Sequence, residues 1–388
     1  MKLIAPCNWD YNLIEELKSC NNLHYIYGKL NSDLTGGGRN SAGLPLIDKK
    51  YAEKYIKKAQ KNGIDFCYLL NGACLDNREY TVEFHQELDR ILIWLSDLKV
   101  KYITVANPYL LTIIKKCYPQ FKVIAGQMCL IYTVSKAKYY EDLGADEITM
   151  NLETHKNFKL LENTVKALNI PITLCANLNC LRFCPFIPYH SQTNAHSSQS
   201  GHISKGMPVD YCTSNCFKIS SQPEEFIKGA AIRPEDIKYY EKTGIKTLKI
   251  VGRSRNTEFI ARAVKAYSDR FYNGNFLDLL DNPATSGSVE NSFRPVTDYK
   301  TYNFHALEQI RDSIRYLPIR YVDNKKLEGF IKYFVQKKPD CENMDCKICG
   351  YCKKWADKVF DKVKVPEEFD KAIDMFNTRE ILNFYKKI

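Results

Sequence analysis

The sequence predicts an α/β protein: a (β/α)8 TIM-like barrel followed by a small helical, cysteine-rich domain. Three observations carry this. Eight short apolar, β-branched runs recur through the first two thirds of the 388 residues, each of the length a buried parallel strand has. Longer stretches with apolar residues at three- and four-residue spacing separate them, as in strand–helix repeats. Polar residues gather at the C-terminal ends of the runs, where a barrel keeps its reactive groups. A doubly wound open sheet is the competing architecture. The count of eight disfavours it, and no Gly-rich dinucleotide fingerprint follows the first run.

The runs are Leu3–Cys7, His24–Gly28, Asp65–Asn71, Tyr102–Asn107, Lys122–Gln127, Glu147–Asn151, Ile172–Asn177 and Thr247–Gly252. Helices are expected at Lys49–Asn62, Thr81–Leu98, Tyr109–Cys117, Val134–Leu143, Phe158–Leu168 and Thr257–Phe271. Gly36-Gly-Gly38 follows the second run but lacks a phosphate-loop Lys and its spacing. The connection after the seventh run, about 178–230, is far longer than a usual βα loop, which marks it as functional or disordered. Its middle, Ser191–Gly206, is rich in Ser, His, Gln and Asn and is expected to be irregular. The barrel is therefore placed at 1–282 and a Ser/Pro/Asn-rich linker at 283–294. A helical domain follows at 295–388, with helices expected at Asn303–Tyr316, Lys325–Val335, Lys354–Lys362 and Pro366–Lys386.

No run approaches the length of a membrane-spanning helix. The N-terminus, Met1-Lys-Leu-Ile-Ala-Pro6, turns polar too soon for a signal peptide, so a cytoplasmic location is expected. The net charge of +11 comes from Lys and Arg spread along the chain and mixed with acids. That pattern reads as a solvated Lys-rich surface before an RNA-binding face, although an anionic substrate suits it.

In a reducing compartment, 15 cysteines read as ligand groups rather than disulfides. Cys20, Cys67, Cys117 and Cys129 have no close Cys partner and are expected to be small buried hydrophobes. Two clusters stand apart. Cys180 and Cys184, then Cys212 and Cys216, form two Cys-x3-Cys pairs in the long loop. Four thiolates hold a tetrahedral zinc or an iron–sulfur cluster, and this spacing favours iron–sulfur. Cys175 and Cys7 read as core thiols close enough to approach the site. The second cluster is Cys341, Cys346, Cys349 and Cys352. Its two consecutive Cys-x-x-Cys steps resemble a ferredoxin run, and a structural zinc stapling the tail is the alternative. His190 and His196 lie in the first cysteine loop. His196 reads as a solvated residue, and His190 as a candidate proton donor.

The strand ends supply a ring of polar residues: Asn8, Lys29, Arg39, Asn71, Asn107, Gln127, Asn151, Glu153, Asn177 and Arg253. Several segments together resemble the collagenase-like peptidase family. Gly38-Arg39-Asn40-Ser41-Ala42 looks like the family's Arg-x-x-Ala segment. Tyr68-Leu-Leu-Asn71 ends a strand as in the family, and Gln127 matches a family Gln. Asn151-Leu-Glu153 stands where the family has Arg-Glu, with Asn for Arg. Leu248-Lys-Ile-Val-Gly-Arg253 resembles Lys-Ile-Glu-Gly-Arg, with Val251 for Glu. The family's His-Gly before the first cysteine is replaced by Ala176-Asn-Leu-Asn-Cys180.

The resemblance covers about residues 1–275. It implies a barrel with a four-cysteine [4Fe-4S] cluster, for which Cys212 and Cys216 fit the last two ligands and Cys180 and Cys184 complete the set. It also implies oxygen-independent hydroxylation of RNA or of ubiquinone precursors, with prephenate an oxygen source in the RNA branch. The expected function is an iron–sulfur redox enzyme of hydroxylase type. Glu153, His190 and Lys249 are its candidate catalytic residues. Arg39, Asn71, Gln127, Asn151, Asn177 and Arg253 are its candidate substrate contacts, because Arg forks suit carboxylates and phosphates. The substrate is expected to be a small anion, an RNA or a peptide. The C-terminal domain would carry a second [4Fe-4S] cluster or zinc and deliver electrons. A peptidase or other hydrolase is the alternative, although no Gly-x-Ser-x-Gly or His-Glu-x-x-His occurs. A non-catalytic electron-relay subunit of a hetero-complex is the other.

Overall fold

Eight parallel strands close into a barrel in sequence order, β1-β2-β3-β4-β5-β6-β7-β8, in the computed structural model. The structure describes residues 1–204, 206, 216, 222–281, 319, 321–360, 367 and 371. The strands are β1 Lys2–Pro6, β2 Leu23–Gly28, β3 Asp65–Leu70, β4 Tyr102–Val105, β5 Lys122–Ala125, β6 Glu147–Thr149, β7 Ile172–Cys175 and β8 Thr247–Lys249. β8 closes on β1 with Ile4 opposite Lys249. The helices of the barrel are α1 Tyr11–Leu17, α2 Lys49–Lys61, α3 Val82–Asp97, α4 Pro108–Cys117, α5 Val134–Asp142, α6 Phe158–Ala167, α7 Ile187–Ser197, α8 Pro223–Lys228, α9 Ile237–Thr243 and α10 Thr257–Asp269.

Alternation along each strand sorts the side chains. One set, with Leu3, Ala5, Ile26, Phe66, Tyr68 and Ile103, packs outward against the helices. The other set fills the lumen with Ile4, Tyr25, Tyr27, Cys67, Leu69 and Ile124. The lumen also carries polar groups that satisfy one another. Thr173 Oγ1 donates to Glu147 at 2.5 Å, and Cys67 lies 3.2 Å from Thr104 Oγ1. Helix starts follow the sequence closely. Asp48, Thr81, Asn107, Thr133, Asn157 and Asn256 each accept a backbone N–H from the first turn, the usual N-cap arrangement.

The expected strands were all present but ran long at their C-terminal ends. Asn71, Asn107, Gln127, Asn151 and Asn177 continue the chain beyond the ladder, where no neighbouring strand pairs with them. The Ser/His/Gln/Asn stretch after β7 is not irregular: it includes most of α7. The floor for this helix is Gly36, at φ +66, where a Cβ would fall 2.0 Å from Ala195 O. The triple glycine is therefore a close-approach site for a helix.

Beyond the barrel, a 3-10 turn at Lys325–Leu327 and a short α11, Lys332–Lys337, replace the single helix expected over Lys325–Val335. Gly329 breaks it at φ +89. Then come α12 Cys346–Cys349 and α13 Tyr351–Val359. This tail docks on the barrel. Phe330, Ile331, Phe334, Ala356 and Val359 belong to the same buried apolar cluster as the barrel helices, and Phe360 meets Phe226 edge-on at 5.7 Å. The expected linker and the helices at Asn303–Tyr316 and Pro366–Lys386 lie outside the described residues, apart from 367 and 371. Among the described residues, no helix is long and apolar enough to cross a membrane.

Candidate functional site at the barrel mouth

Three arginines converge at the C-terminal end of the barrel, and they are not equivalent. Arg39, after β2, pairs with Asp281. Arg255 donates from Nε to the other oxygen of the same carboxylate at 3.2 Å. The two guanidiniums hold the Asp281 carboxyl below its ordinary value against the opposing effect of burial. Arg253, at the end of β8, is 5% exposed, and its Nη1 is shielded with no hydrogen-bond partner among the described residues. Burial pulls its pKa down to about 10, and the nearby Arg39 adds to the fall. A buried guanidinium without an anion is costly.

Around Arg253 the polar groups are mostly fixed. Lys29 is fully buried and donates to Asp33 at 2.7 Å. Asp33 also accepts from the Tyr68 hydroxyl at 3.0 Å and from the backbone of Thr35 and Gly36. Asn177 uses its whole amide internally: Val251 N donates to Oδ1 at 2.7 Å, and Nδ2 donates to Val251 O and Leu279 O. It ties β7 to β8. The Gln127 amide reaches Asn151 at 3.2 Å and the Cys175 thiol at 3.6 Å. Asn71 is different. Its Oδ1 is buried without a hydrogen bond among the described residues, giving this end of the barrel an orphaned acceptor as well as an orphaned donor.

Lys249 turns into the lumen, its ammonium 3.9 Å from the Tyr27 ring centroid. Burial holds its pKa below the usual lysine value, with Cys175 and Cys67 opposing. Glu153 has other surroundings. Its carboxyl is pushed up by burial and then by Glu342 of the tail, with Arg182 opposing. His190 lies on α7, its Nε2 3.0 Å from Asn194 Nδ2.

Of the first cysteine group, Cys180, Cys184 and Cys216 are described, and Cys212 lies outside the described residues. Burial raises the Cys180 thiol strongly, and Cys216 and Cys184 raise it further while Arg39 opposes. Thiols of this kind are a donor set that a bound cation converts to thiolates. Cys175 is buried, with its thiol raised by burial. Cys7 is also buried, and its thiol is pushed up to about 12. Cys67 and Cys129 are buried as expected. Cys117 is exposed and Cys20 half-buried, because each sits at the rim of a helix or turn rather than on its packed face.

The second group sits on the tail. Cys346 and Cys349 are the ends of α12, whose start Asp345 caps at 2.8 Å. The Tyr333 hydroxyl lies 3.8 Å from Cys349 Sγ. Burial pushes the Cys352 thiol up to about 11, with Lys156 and Arg182 opposing and Cys341 and Cys346 adding to the rise. Arg182 lies between Cys180 and Cys184 in the chain, and its charge also reaches Cys352. Lys156 anchors the seam. It donates to Ile227 O at 2.7 Å and to Gly229 O, with the Phe330 ring 5.0 Å away.

No family model matches the chain. An uncharacterised protease of Methanocaldococcus jannaschii is 24% identical over 335 residues, spanning 86% of this chain and 87% of that protein. This likeness supports the resemblance to the collagenase-like peptidase family seen in the sequence. Among solved structures, the U32 peptidase Mk0906 superposes with a TM-score of 0.48 at 18% identity, over 65% of this chain and 93% of that one. A tryptophan synthase α-subunit from Pyrococcus furiosus superposes at 0.37 and 9% identity, over 72% and 97%. What the structure adds to the expectation from sequence is the Asp281 node. Asp281 lies far along the chain from Arg39, and no local spacing signals the pairing.

Proposed function

We propose that this protein is an iron–sulfur redox enzyme of the collagenase-like peptidase family that binds an anionic substrate at the barrel mouth and modifies it by oxygen-independent hydroxylation. The observation that carries the reading is Arg253: a shielded, unpartnered guanidinium beside a paired Arg39–Asp281–Arg255 node, at the same mouth as converging cysteines. A carboxylate or phosphate would supply the missing partner in a site where Arg39 and Arg255 share the single Asp281 carboxylate and leave a net positive charge. Asn71 Oδ1 would accept a hydrogen bond from the same ligand.

Cys180, Cys184, Cys212 and Cys216 would hold a [4Fe-4S] cluster, which would supply electron transfer when bound. The chain's own residues do the rest. Arg253 orients the anion, Asn177 fixes the β7 and β8 ends, and Lys249 offers a proton from the lumen. Glu153 and His190 offer protons at the rim. The net reaction balances without molecular oxygen: R–H and a hydroxyl-bearing organic acid R′–OH give R–OH and R′–H. Cys341, Cys346, Cys349 and Cys352 would hold a second cluster or a zinc.

Anaerobic purification with iron and sulfide counts tests this. About four irons per chain supports one cluster, about eight supports two, and zinc without iron ends the redox reading. The relative's description as a protease motivates a second reading as a hydrolase. Against it, every described cysteine with a displaced thiol is raised rather than lowered, the reverse of what an activated nucleophile needs. Peptide cleavage by iron-free protein would favour the hydrolase.

A further inference from the structure

We propose that Cys74, Asp76 and His196 form a second kind of metal site, for a zinc-class divalent ion, that staples the cysteine-bearing loop to the loop after β3. It stands apart from both cysteine groups and does not depend on the iron–sulfur reading. Cys74 Sγ lies 3.5 Å from Asp76 Oδ1, and His196 Nε2 lies 3.5 Å from the same oxygen. All three donor atoms fall within 4.8 Å of one another. Tetrahedral zinc with ordinary Zn–S, Zn–N and Zn–O bonds sets its donors about 3.3–3.5 Å apart, so two of the three edges already have that length.

The second observation is an orphan. His196 Nε2 is shielded from solvent and has no hydrogen-bond partner among the described residues, although it points at this cluster. An imidazole nitrogen shielded from solvent and set against a carboxylate oxygen and a thiol is placed as a metal ligand would be. His202 lies against this group. Its ring stacks on His196 at 4.4 Å with 16° between planes, and its Nε2 lies 3.6 Å from Asp76 Oδ2. His202 Nδ1 accepts from Ser204 N at 3.0 Å and lies 2.8 Å from Ser204 Oγ, so the proton of the neutral ring sits on Nε2, facing Asp76. That is the kind of outer-shell contact a ligating carboxylate usually receives.

The ligands are positioned by contacts independent of any ion. Gln192 Oε1 on α7 accepts from Cys74 N at 3.2 Å, and Gln199 Nε2 donates to Cys74 O at 2.7 Å. Asp76 and Asn77 hold left-handed φ values of +55 and +58, which turn the β3 loop back toward α7. Binding would replace the proton that the Cys74 thiol now shares with Asp76, releasing it to solvent. His196 and His202 come from the chain between Cys184 and Cys212, so the ion would anchor the segment that separates the two cysteine pairs. The sequence hid this site: Cys74 has no nearby cysteine, and a lone loop histidine reads as solvated.

The test is metal content of the full chain, with zinc and iron counted together in wild type, Cys74→Ala and His196→Ala. The expected result is loss of one zinc per chain in both variants with iron unchanged. Cobalt added to metal-depleted protein should give a thiolate-to-cobalt band that is weaker in Cys74→Ser by one thiolate's share. The milder Ser variant serves if the alanine protein does not fold. Wild-type zinc content in folded Cys74→Ser and His196→Ala overturns the proposal, as does a wild-type protein that takes up zinc only at the cysteine groups. A wild-type protein that holds this zinc but no iron would count against the redox reading alone.

Discussion

The two cysteine groups make opposite use of the fold. The group at the barrel mouth hangs from a rigid strand end: Cys180 follows β7, and Asn177 beside it is locked to Val251 and Leu279. It faces charged groups whose partners are arranged, with one guanidinium left over. The tail group sits on short elements, with Cys346 exposed and the other three half-buried. Its neighbours are aromatic: Tyr333 and Tyr351 stack at 4.1 Å, and Phe330 and Tyr351 at 5.7 Å. The first arrangement suits chemistry on a bound molecule. The second suits a small segment that cannot bury enough apolar surface alone. Position in the fold, more than the count of thiols, separates the two roles.

Cysteine replacement should break this comparison most sharply. Cys180→Ser and Cys216→Ser are expected to lose the mouth iron and to lower turnover at least ~100-fold. Cys349→Ser should keep that iron and instead raise protease cleavage of the tail. Iron and sulfide counts with limited proteolysis decide it, and loss of all iron from Cys349→Ser would erase the distinction. The arginines come next. Removing one partner of a buried pair costs about 3–5 kcal/mol, so Arg255→Met should destabilise the protein by about 3 kcal/mol, the lower end because Arg39 still meets Asp281. Arg253→Met should raise the stability of the ligand-free protein by about 1 kcal/mol or more while abolishing anion binding. Thermal melts with and without a test carboxylate read both.

A pH effect of similar size sits on the seam between the regions. His155 is fully buried, its Nδ1 3.0 Å from Ala230 O, and burial lowers its pKa from 6.5 to about 4. Its folded value is depressed, so its stabilising contribution is complete above pH 6.5 and is lost as pH falls toward 4. It amounts to about 3 kcal/mol across that window. Asp236 acts in the other direction, because burial raises its carboxyl from 3.8 to about 6. Its contribution is present below pH 3.8 and is lost as pH rises through 6. The difference between wild type and His155→Gln in denaturant titrations from pH 4 to 7 isolates the histidine, and a flat difference would contradict the assignment. The smallest effect belongs to Tyr333→Phe, which removes the hydroxyl beside Cys349. It should cost the tail under about 1 kcal/mol with its metal retained.

Much of the barrel was legible because buried parallel strands announce themselves as short β-branched runs, and caps such as Asp48 and Thr81 mark the helices. The strand ends were read too far, since Asn71 and Asn177 stay extended without a ladder partner. Helix α7 was illegible for a different reason. Its Ser, Thr, Asn and His residues are poor helix formers, and it is held by tertiary contacts on Gly36 and by Gln192 and Gln199. The Arg39–Asp281–Arg255 node and the Cys74–Asp76–His196 group join segments far apart in the chain, and no local pattern encodes such meetings. Arg253 was singled out from its place after β8, but its lack of a partner only became visible once its neighbours were seen to be paired with one another.

The long excursion after β7 begins and ends at one point. Ile232 N donates to Ala176 O at 2.8 Å, and the Tyr267 hydroxyl donates to Ile232 O at 2.6 Å and lies 3.3 Å from Ala176 O. The barrel thus has a socket with two adjoining contacts and a hydroxyl latch, into which everything from Asn177 to Ala231 plugs. An insert held this way can be lengthened, shortened or exchanged while the strands keep their register, so this part of the chain is free to acquire new specificities without refounding the scaffold.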